Sequence, residues 1–172
     1  MRISGQHIVT AILLLLAQAL IDNSIHIGLY LYAAVFPVIV LSLPYRFRTI
    51  PTIIIAFATG LAADAAGGGV LGLNAAALTA AAYFRKPLIA ITTNKDIFEK
   101  EERPSPRAIG YLGFSAYTAI FILIFITVYV LLDSMGIEPA SVNIPKILVS
   151  WAVNTAIAVA LASLGGNRRR PS

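Results

Sequence analysis

The chain has 172 residues, of which 13 are Lys or Arg and 8 are Asp or Glu, giving a formal net charge of +5. Hydrophobic residues make up 58% of the chain, charged residues make up 12%, and the mean hydropathy is +0.82. A soluble domain carries about twice this charged fraction, and a soluble fold this apolar would lack polar residues to cover its surface. The composition therefore excludes a soluble domain and predicts an integral membrane protein; the absence of cysteine excludes disulfides.

Apolar segments predict an all-α membrane protein with one domain, residues 1–172, built as a single bundle of about six transmembrane helices. The predicted spans are approximately residues 6–21, 27–43, 50–66, 70–86, 109–132 and 144–164. The first span ends in Ala17-Gln18-Ala19, which is typical of a signal-peptide cleavage site. Because a single Arg2 forms the basic segment before it, we favour a retained span over a cleaved signal.

Two further predictions concern particular spans. Pro37 lies inside the second predicted span, and proline in a helix interior predicts a kink. Residues 120–132 of the fifth span are large and β-branched with few small residues, so we expect much of this helix to face lipid.

A glycine-rich corner, Gly67-Gly68-Gly69 followed by Gly72, joins the third and fourth spans and predicts a tight hairpin. In the third span Ala56, Gly60 and Asp64 recur every four residues and so share one helix face. Small residues on one face allow two helices to approach closely in a bilayer, so we expect this face to pack against a neighbouring helix.

Asp64 and Asn74 flank the corner and are the sharpest candidates for function. A carboxylate in a membrane helix is a functional hypothesis by default, and Asp64 could bind a partner group, carry a proton or hold a solute. Alternatively it caps the glycine turn or bonds Asn74, a purely architectural role. We take Gly60, Asp64, Gly72 and Asn74 as candidate partner-binding residues of the hairpin.

Helix packing is predicted at a second set of residues. Gln18 and Asn154 are amides within the first and sixth spans, where we expect them to donate hydrogen bonds across helices. Asn154, Ala158 and Ala162 recur every four residues and predict a packing face on the sixth span.

The cations predict the orientation. If six helices cross the membrane, every Lys and Arg except Lys146 lies on the side of the termini. Short loops rich in Lys and Arg stay cytoplasmic, so both termini are expected in the cytoplasm. This arrangement, with some attraction to anionic membrane lipids, explains the net charge without a nucleic acid partner.

Catalytic and metal-binding patterns are missing from the sequence. His7 and His26 are the only histidines and are predicted on opposite membrane sides, so neither supports a catalytic serine or a metal. We therefore predict no catalytic residue, no metal, no cofactor and no enzymatic activity.

The order of these features resembles the MreD family of rod shape-determining proteins, small membrane proteins of bacteria. The residues that carry the resemblance are 19–23 with His26, Phe36-Pro37, Leu43-Pro44, residues 57–64 (FATGLAAD, similar to the family's G-L-x-x-D pattern), residues 72–76 and residues 82–87. The similarity covers approximately residues 6–87; the second half matches mainly in length and hydropathy.

The resemblance implies a non-enzymatic scaffold of the cell-elongation machinery in the bacterial inner membrane. Its implied partners are an MreC-like bitopic protein and, beside it, RodA, a class B penicillin-binding protein and MreB. The family is also similar in fold to the substrate-binding subunits of energy-coupling-factor transporters. That likeness supplies the alternative function, a solute-binding subunit of a membrane transporter, with Asp64 and Asn74 lining a pocket.

Overall fold

The computed structural model describes residues 5–24, 31–45, 47–68, 70–92, 104–135 and 137–166. Its regular elements there are all helices: α1 (Gly5–Ser24), α2 (Pro37–Leu41), α3 (Thr49–Gly67), α4 (Leu73–Thr92), α5 (Pro106–Asp133) and α6 (Ala140–Gly166). The all-α prediction is thus confirmed for the described residues. Three helices are long and apolar enough to cross a membrane, namely Thr49–Gly67, Ala108–Asp133 and Ala140–Ser163. These three helices support a membrane protein, whereas a total of six transmembrane helices stays a prediction.

Long helices that are neighbours in the sequence pack side by side. α3 packs on α4, α4 on α5 and α5 on α6, while α1 packs on α3. The short connections at residues 68–72 and 134–139 leave no room for a crossover, so α3 is antiparallel to α4 and α5 is antiparallel to α6. The short α2 contacts α3, α4, α5 and α6 and therefore lies at the centre of the bundle.

Close backbone approach holds α3 against α4. A Cβ atom added at Gly60 would lie 2.5 Å from the Cα atom of Ala75, so only glycine fits. Ala56 and Asp64, one turn to either side of Gly60, are also buried. The packing face predicted from the spacing of Ala56, Gly60 and Asp64 is therefore confirmed.

α5 supplies the aromatic core, while Ile120, Leu123, Leu131 and Leu132 of its second half are exposed; that much of this helix faces lipid stays a prediction. Ser105 caps the helix by accepting from the Ala108 N–H, and Gly110 (φ 77°) interrupts its first turns. Phe121, Ile122, Phe125, Ile126 and Val130 are fully buried. They are buried because α4 and α6 flank α5 on two sides and α2 also contacts it.

The second predicted span differs most from the structure. Residues 31–36 are not helical, and the helix among the described residues of this span is α2, whose first residue is Pro37. Proline is tolerated at that position because its missing N–H would have no helical partner there, so the predicted kink is wrong. Residues 27–30 and His26 lie outside the described residues.

The helix that contains most of the fourth predicted span extends beyond it. α4 continues past Arg85 to Thr92 and contains Pro87. Arg85 therefore lies within the helix, where it is 1% exposed inside the bundle. The polar segment at residues 93–103, Gly69 and the basic tail from residue 167 lie outside the described residues.

Candidate functional site: buried polar residues and the α3–α4 turn

The non-helical segment 31–36 is held on one side by Gln18 of α1. The Gln18 Nε2 donates to the Ala33 carbonyl at 3.0 Å, and its Oε1 accepts from the Val35 N–H at 2.9 Å. One side-chain amide thus satisfies a backbone acceptor and a backbone donor of the same segment, as a neighbouring β-strand would.

α6 holds the other side of the segment. The Asn154 Oδ1 accepts from the Ala34 N–H at 2.6 Å, and its Nδ2 donates to the Tyr32 carbonyl at 2.6 Å. Ser150, one turn earlier, accepts from the Tyr32 N–H through its Oγ at 2.9 Å. The two amides therefore bind alternate residues of the extended chain from opposite sides.

These contacts explain why an apolar segment departs from helix here. Successive residues of an extended chain point their N–H and C=O groups to opposite sides, and a backbone group without a partner is costly away from water. Gln18, Ser150 and Asn154 are all fully buried and supply those partners. The predicted hydrogen bonds of Gln18 and Asn154 are present, but they reach the backbone of residues 32–35 rather than a facing helix.

Asp64 caps α4. Its carboxylate, 3% exposed, accepts from the backbone N–H groups of Gly72 (2.9 Å), Asn74 (3.0 Å) and Ala75 (3.2 Å). These groups belong to the residue before α4 and to its first turn, where helix N–H groups have no helical partner and the helix dipole favours an anion. Gly72 has no side chain to cap the helix, and Asp64 supplies the acceptor from α3 instead.

Two glycines shape the turn between α3 and α4. Gly68 ends α3 in the left-handed conformation with φ 67°, and Gly72 precedes α4 with φ 96°. Both values favour glycine because a Cβ atom would be strained there. The tight glycine hairpin predicted from the sequence is confirmed at these two positions.

Tyr32 connects the turn to the extended segment, and sequence reasoning did not single it out. Its hydroxyl donates to the Asn74 Oδ1 at 2.6 Å, and its ring stacks on Tyr129 at a centroid distance of 3.9 Å. Asn74, whose own N–H donates to Asp64, is thereby linked through Tyr32 to Ser150 and Asn154. The only sequence signal is an aromatic residue in an apolar run, which does not specify a partner.

The small-residue face predicted on α6 turns toward the bundle. Asn154 and Ala158 are buried, and Ala162 is half-buried against the core. Trp151 on the same helix donates from its indole Nε1 to the Ala119 carbonyl of α5 at 2.8 Å, which fixes α6 on α5.

A second polar group, also missed from the sequence, lies toward the other end of α4. Arg85 donates through its Nη2 to the Leu43 carbonyl, just beyond the end of α2. A cation is favourable at that position because carbonyl groups without partners accumulate at a helix C-terminus.

The arrangement directs polar side chains to the protein's own backbone. Gly60, Asp64 and Asn74 are buried in the α3–α4 contact, and Gly72 is half-buried in the turn. Direct partner contact by these four residues stays a prediction, while their architectural role is visible in the structure. Among the residues that the structure describes, no three His, Asp or Glu side chains converge as a metal site. Comparisons with protein-family models, curated proteins and solved structures find no match to this chain.

Proposed function

We propose that this protein is a non-enzymatic scaffold of the bacterial cell-elongation machinery. It lies in the inner membrane with both termini in the cytoplasm and docks an MreC-like bitopic protein through helix packing. The resemblance of residues 6–87 to the MreD family supplies the identity of the machinery. The structural observation that supports a scaffold is that Gln18, Asp64 and Asn154 all bind backbone groups and so stabilise one fixed shape.

The surface offered to a partner helix is the exposed flank of the α3–α4 turn. Leu61, Val70 and Leu71 are exposed there, and Leu71 is the most exposed of the three at 67%. Asp64 and Gly60 are buried behind this surface, where they stabilise the packing of α3 on α4 without being exposed to a partner. Transmembrane helices associate mainly by van der Waals packing, which such a surface supplies.

The same proposal gives positions to the other components of the elongation machinery. RodA and a class B penicillin-binding protein would lie beside the docked MreC-like protein within the membrane. MreB would face the cytoplasmic end of the bundle, where Arg48 and Lys86 are exposed.

A solute-binding transporter subunit is the second candidate, favoured by the non-helical segment 31–36 between α1 and α6. Transporters bind solutes at interrupted helices near the bilayer midplane. Here, however, the Asn74 Oδ1 accepts from Tyr32 and the Asp64 carboxylate accepts from three N–H groups. A solute would have to displace those bonds, so the scaffold is the better-supported function.

Cross-linking from single cysteines tests the scaffold, because the chain has no cysteine of its own. We expect Leu71→Cys carrying a photoactivatable maleimide to cross-link an MreC-like protein co-expressed in the same membrane. Leu148→Cys on α6 is the matched control, since it is exposed near the same end of the bundle but on a helix that is separated from α4 by α5.

Equal cross-linking from Leu71→Cys and Leu148→Cys, or none from Leu71→Cys, would contradict docking at the α3–α4 turn. Mass spectrometry of the purified protein tests the second candidate in parallel. A retained small molecule, together with no cross-link, would favour the transporter subunit.

A further inference from the structure

Arg85 is a buried cation whose hydrogen bonds within the protein are incomplete. Its guanidinium is 1% exposed and donates through Nη2 to the Leu43 carbonyl, yet its Nε has no hydrogen-bond partner. Arg85 forms no ion pair with the described residues; the ion pair present there is Lys146 with Asp133. A buried charge without a counter-ion is strongly unfavourable.

A second unsatisfied donor lies beside it. Tyr117 of α5 is fully buried and close enough to interact electrostatically with Arg85. A guanidinium has no acceptor, so the hydroxyl hydrogen of Tyr117 cannot be donated to Arg85, and the hydroxyl has no other partner. A hydroxyl and a guanidinium N–H that lie together are the donors an oxoanion requires.

Two exposed cations share this end of the hairpin. Twelve residues before Gly60 is Arg48, and twelve residues after its contact Ala75 is Pro87, so Arg48 lies level with Arg85 and Lys86 in the antiparallel pair. The acidic side chains that the structure describes, Asp64, Asp133 and Glu138, belong to the opposite end. This end of the bundle, which we call the basic end, therefore attracts anions.

We propose that the basic end binds the phosphate of an anionic phospholipid, with Arg85 as the principal ligand and the Tyr117 hydroxyl as a second donor. Arg48 and Lys86 are peripheral cations that attract the headgroup. The planar guanidinium matches the spacing of two phosphate oxygens, and the cytoplasmic leaflet is rich in anionic lipids. The proposal depends on the predicted orientation and not on the scaffold function.

Native mass spectrometry in nanodiscs of phosphatidylcholine with phosphatidylglycerol tests the site. The wild-type protein should retain phosphatidylglycerol in preference to phosphatidylcholine, and Arg85→Gln should lower that retention about tenfold. Lys146→Gln, which removes a cation of the opposite end, is the matched control and should retain the lipid as the wild type does.

Two milder variants keep the test decisive if Arg85→Gln does not fold. Arg85→Lys keeps the charge but loses the planar set of donors, and Tyr117→Phe loses only the hydroxyl. Each variant should retain less phosphatidylglycerol than the Lys146→Gln control, with a loss smaller than tenfold. Equal retention by these variants and the wild type would overturn the proposal. Displacement of the lipid by millimolar inorganic phosphate would show a free-phosphate site instead and would also overturn it.

Discussion

Asp64 acts on the residues around it through its charge and its position one turn after Gly60. Glycine lets the start of α4 approach α3, and the carboxylate then receives three backbone N–H groups that would otherwise lack partners. Hydrogen bonds to a carboxylate are stronger than neutral ones, and those from Asn74 and Ala75 are buried. A single acidic residue in an apolar helix therefore has an architectural explanation that does not require catalysis or transport.

Replacing Asp64 should destabilise the folded protein. Asp64→Ala removes the cap of α4 and should cost about 2 kcal/mol or more, a fall of about 4–8 °C in the melting temperature of the protein in detergent. Asp64→Asn keeps one acceptor oxygen and should fall between the wild type and Asp64→Ala.

The control for this series is Asp133→Asn. Asp133 pairs with Lys146 at 2.8 Å but is partly exposed, so its loss should cost less than about 1 kcal/mol. Thermal unfolding of the wild type, Asp64→Ala, Asp64→Asn and Asp133→Asn tests the capping role. Equal melting temperatures for Asp64→Ala and Asp133→Asn would contradict it.

Gly60→Ala offers a second test at the same contact. The new methyl group would meet the Ala75 backbone at 2.5 Å and cannot be relieved by a side-chain rotation, so we expect a loss of about 1–3 kcal/mol. Gly68→Ala is the comparison, because its Cβ atom meets no neighbour within 4 Å and only the left-handed backbone is strained. A smaller loss for Gly60→Ala than for Gly68→Ala, measured by thermal unfolding, would argue against close packing of α3 on α4.

The non-helical segment 31–36 is the least conventional part of the fold. Its backbone receives hydrogen bonds from α1 on one side and from α6 on the other. In a membrane, non-helical backbone is tolerated only where protein surrounds it, and Ala34, Val35 and Phe36 are buried in the bundle. The segment thereby ties the first and last helices to the centre of the bundle.

Asn154→Leu should weaken this connection. The change leaves the Ala34 N–H and the Tyr32 carbonyl without the Asn154 amide, at a cost of about 2 kcal/mol or more. Thr155→Val is the matched control one residue along α6, because the Thr155 Oγ1 has no hydrogen-bond partner; its effect should lie within about 0.5 kcal/mol. Comparable loss of stability in both variants, measured by denaturation in detergent, would show that Asn154 does not hold the segment.

Local pattern predicted the long helices because each is a sustained apolar run with a glycine, proline or polar break at its end. The sequence predicted a helix at residues 31–36, which are not helical. Their apolar composition suits a buried helix and a buried extended chain equally. What decides between the two is Asn154, 120 residues from Ala34 in the chain, and no local signal reports so distant a partner. The burial of Arg85 could not be predicted for a related reason: a cation two residues before Pro87 is typical of a helix end, and its burial depends on α2 and α5.

At the scale of the whole molecule, charge is distributed between two ends. Arg48, Arg85 and Lys86 mark the basic end, and Asp64, Asp133 and Glu138 belong to the end that carries the α3–α4 turn. The proposed docking surface and the proposed lipid site occupy opposite ends, so a defect in one leaves the other intact. Both proposals depend on the same orientation, with the turn outside the cytoplasm and the basic end inside.

Cysteine labelling in intact bacteria tests that orientation most directly. A membrane-impermeant maleimide should modify Leu71→Cys at the exposed α3–α4 turn in whole cells, and should modify Ser172→Cys only after the membrane is permeabilised. Labelling of Ser172→Cys in intact cells, with Leu71→Cys protected until permeabilisation, would contradict the account.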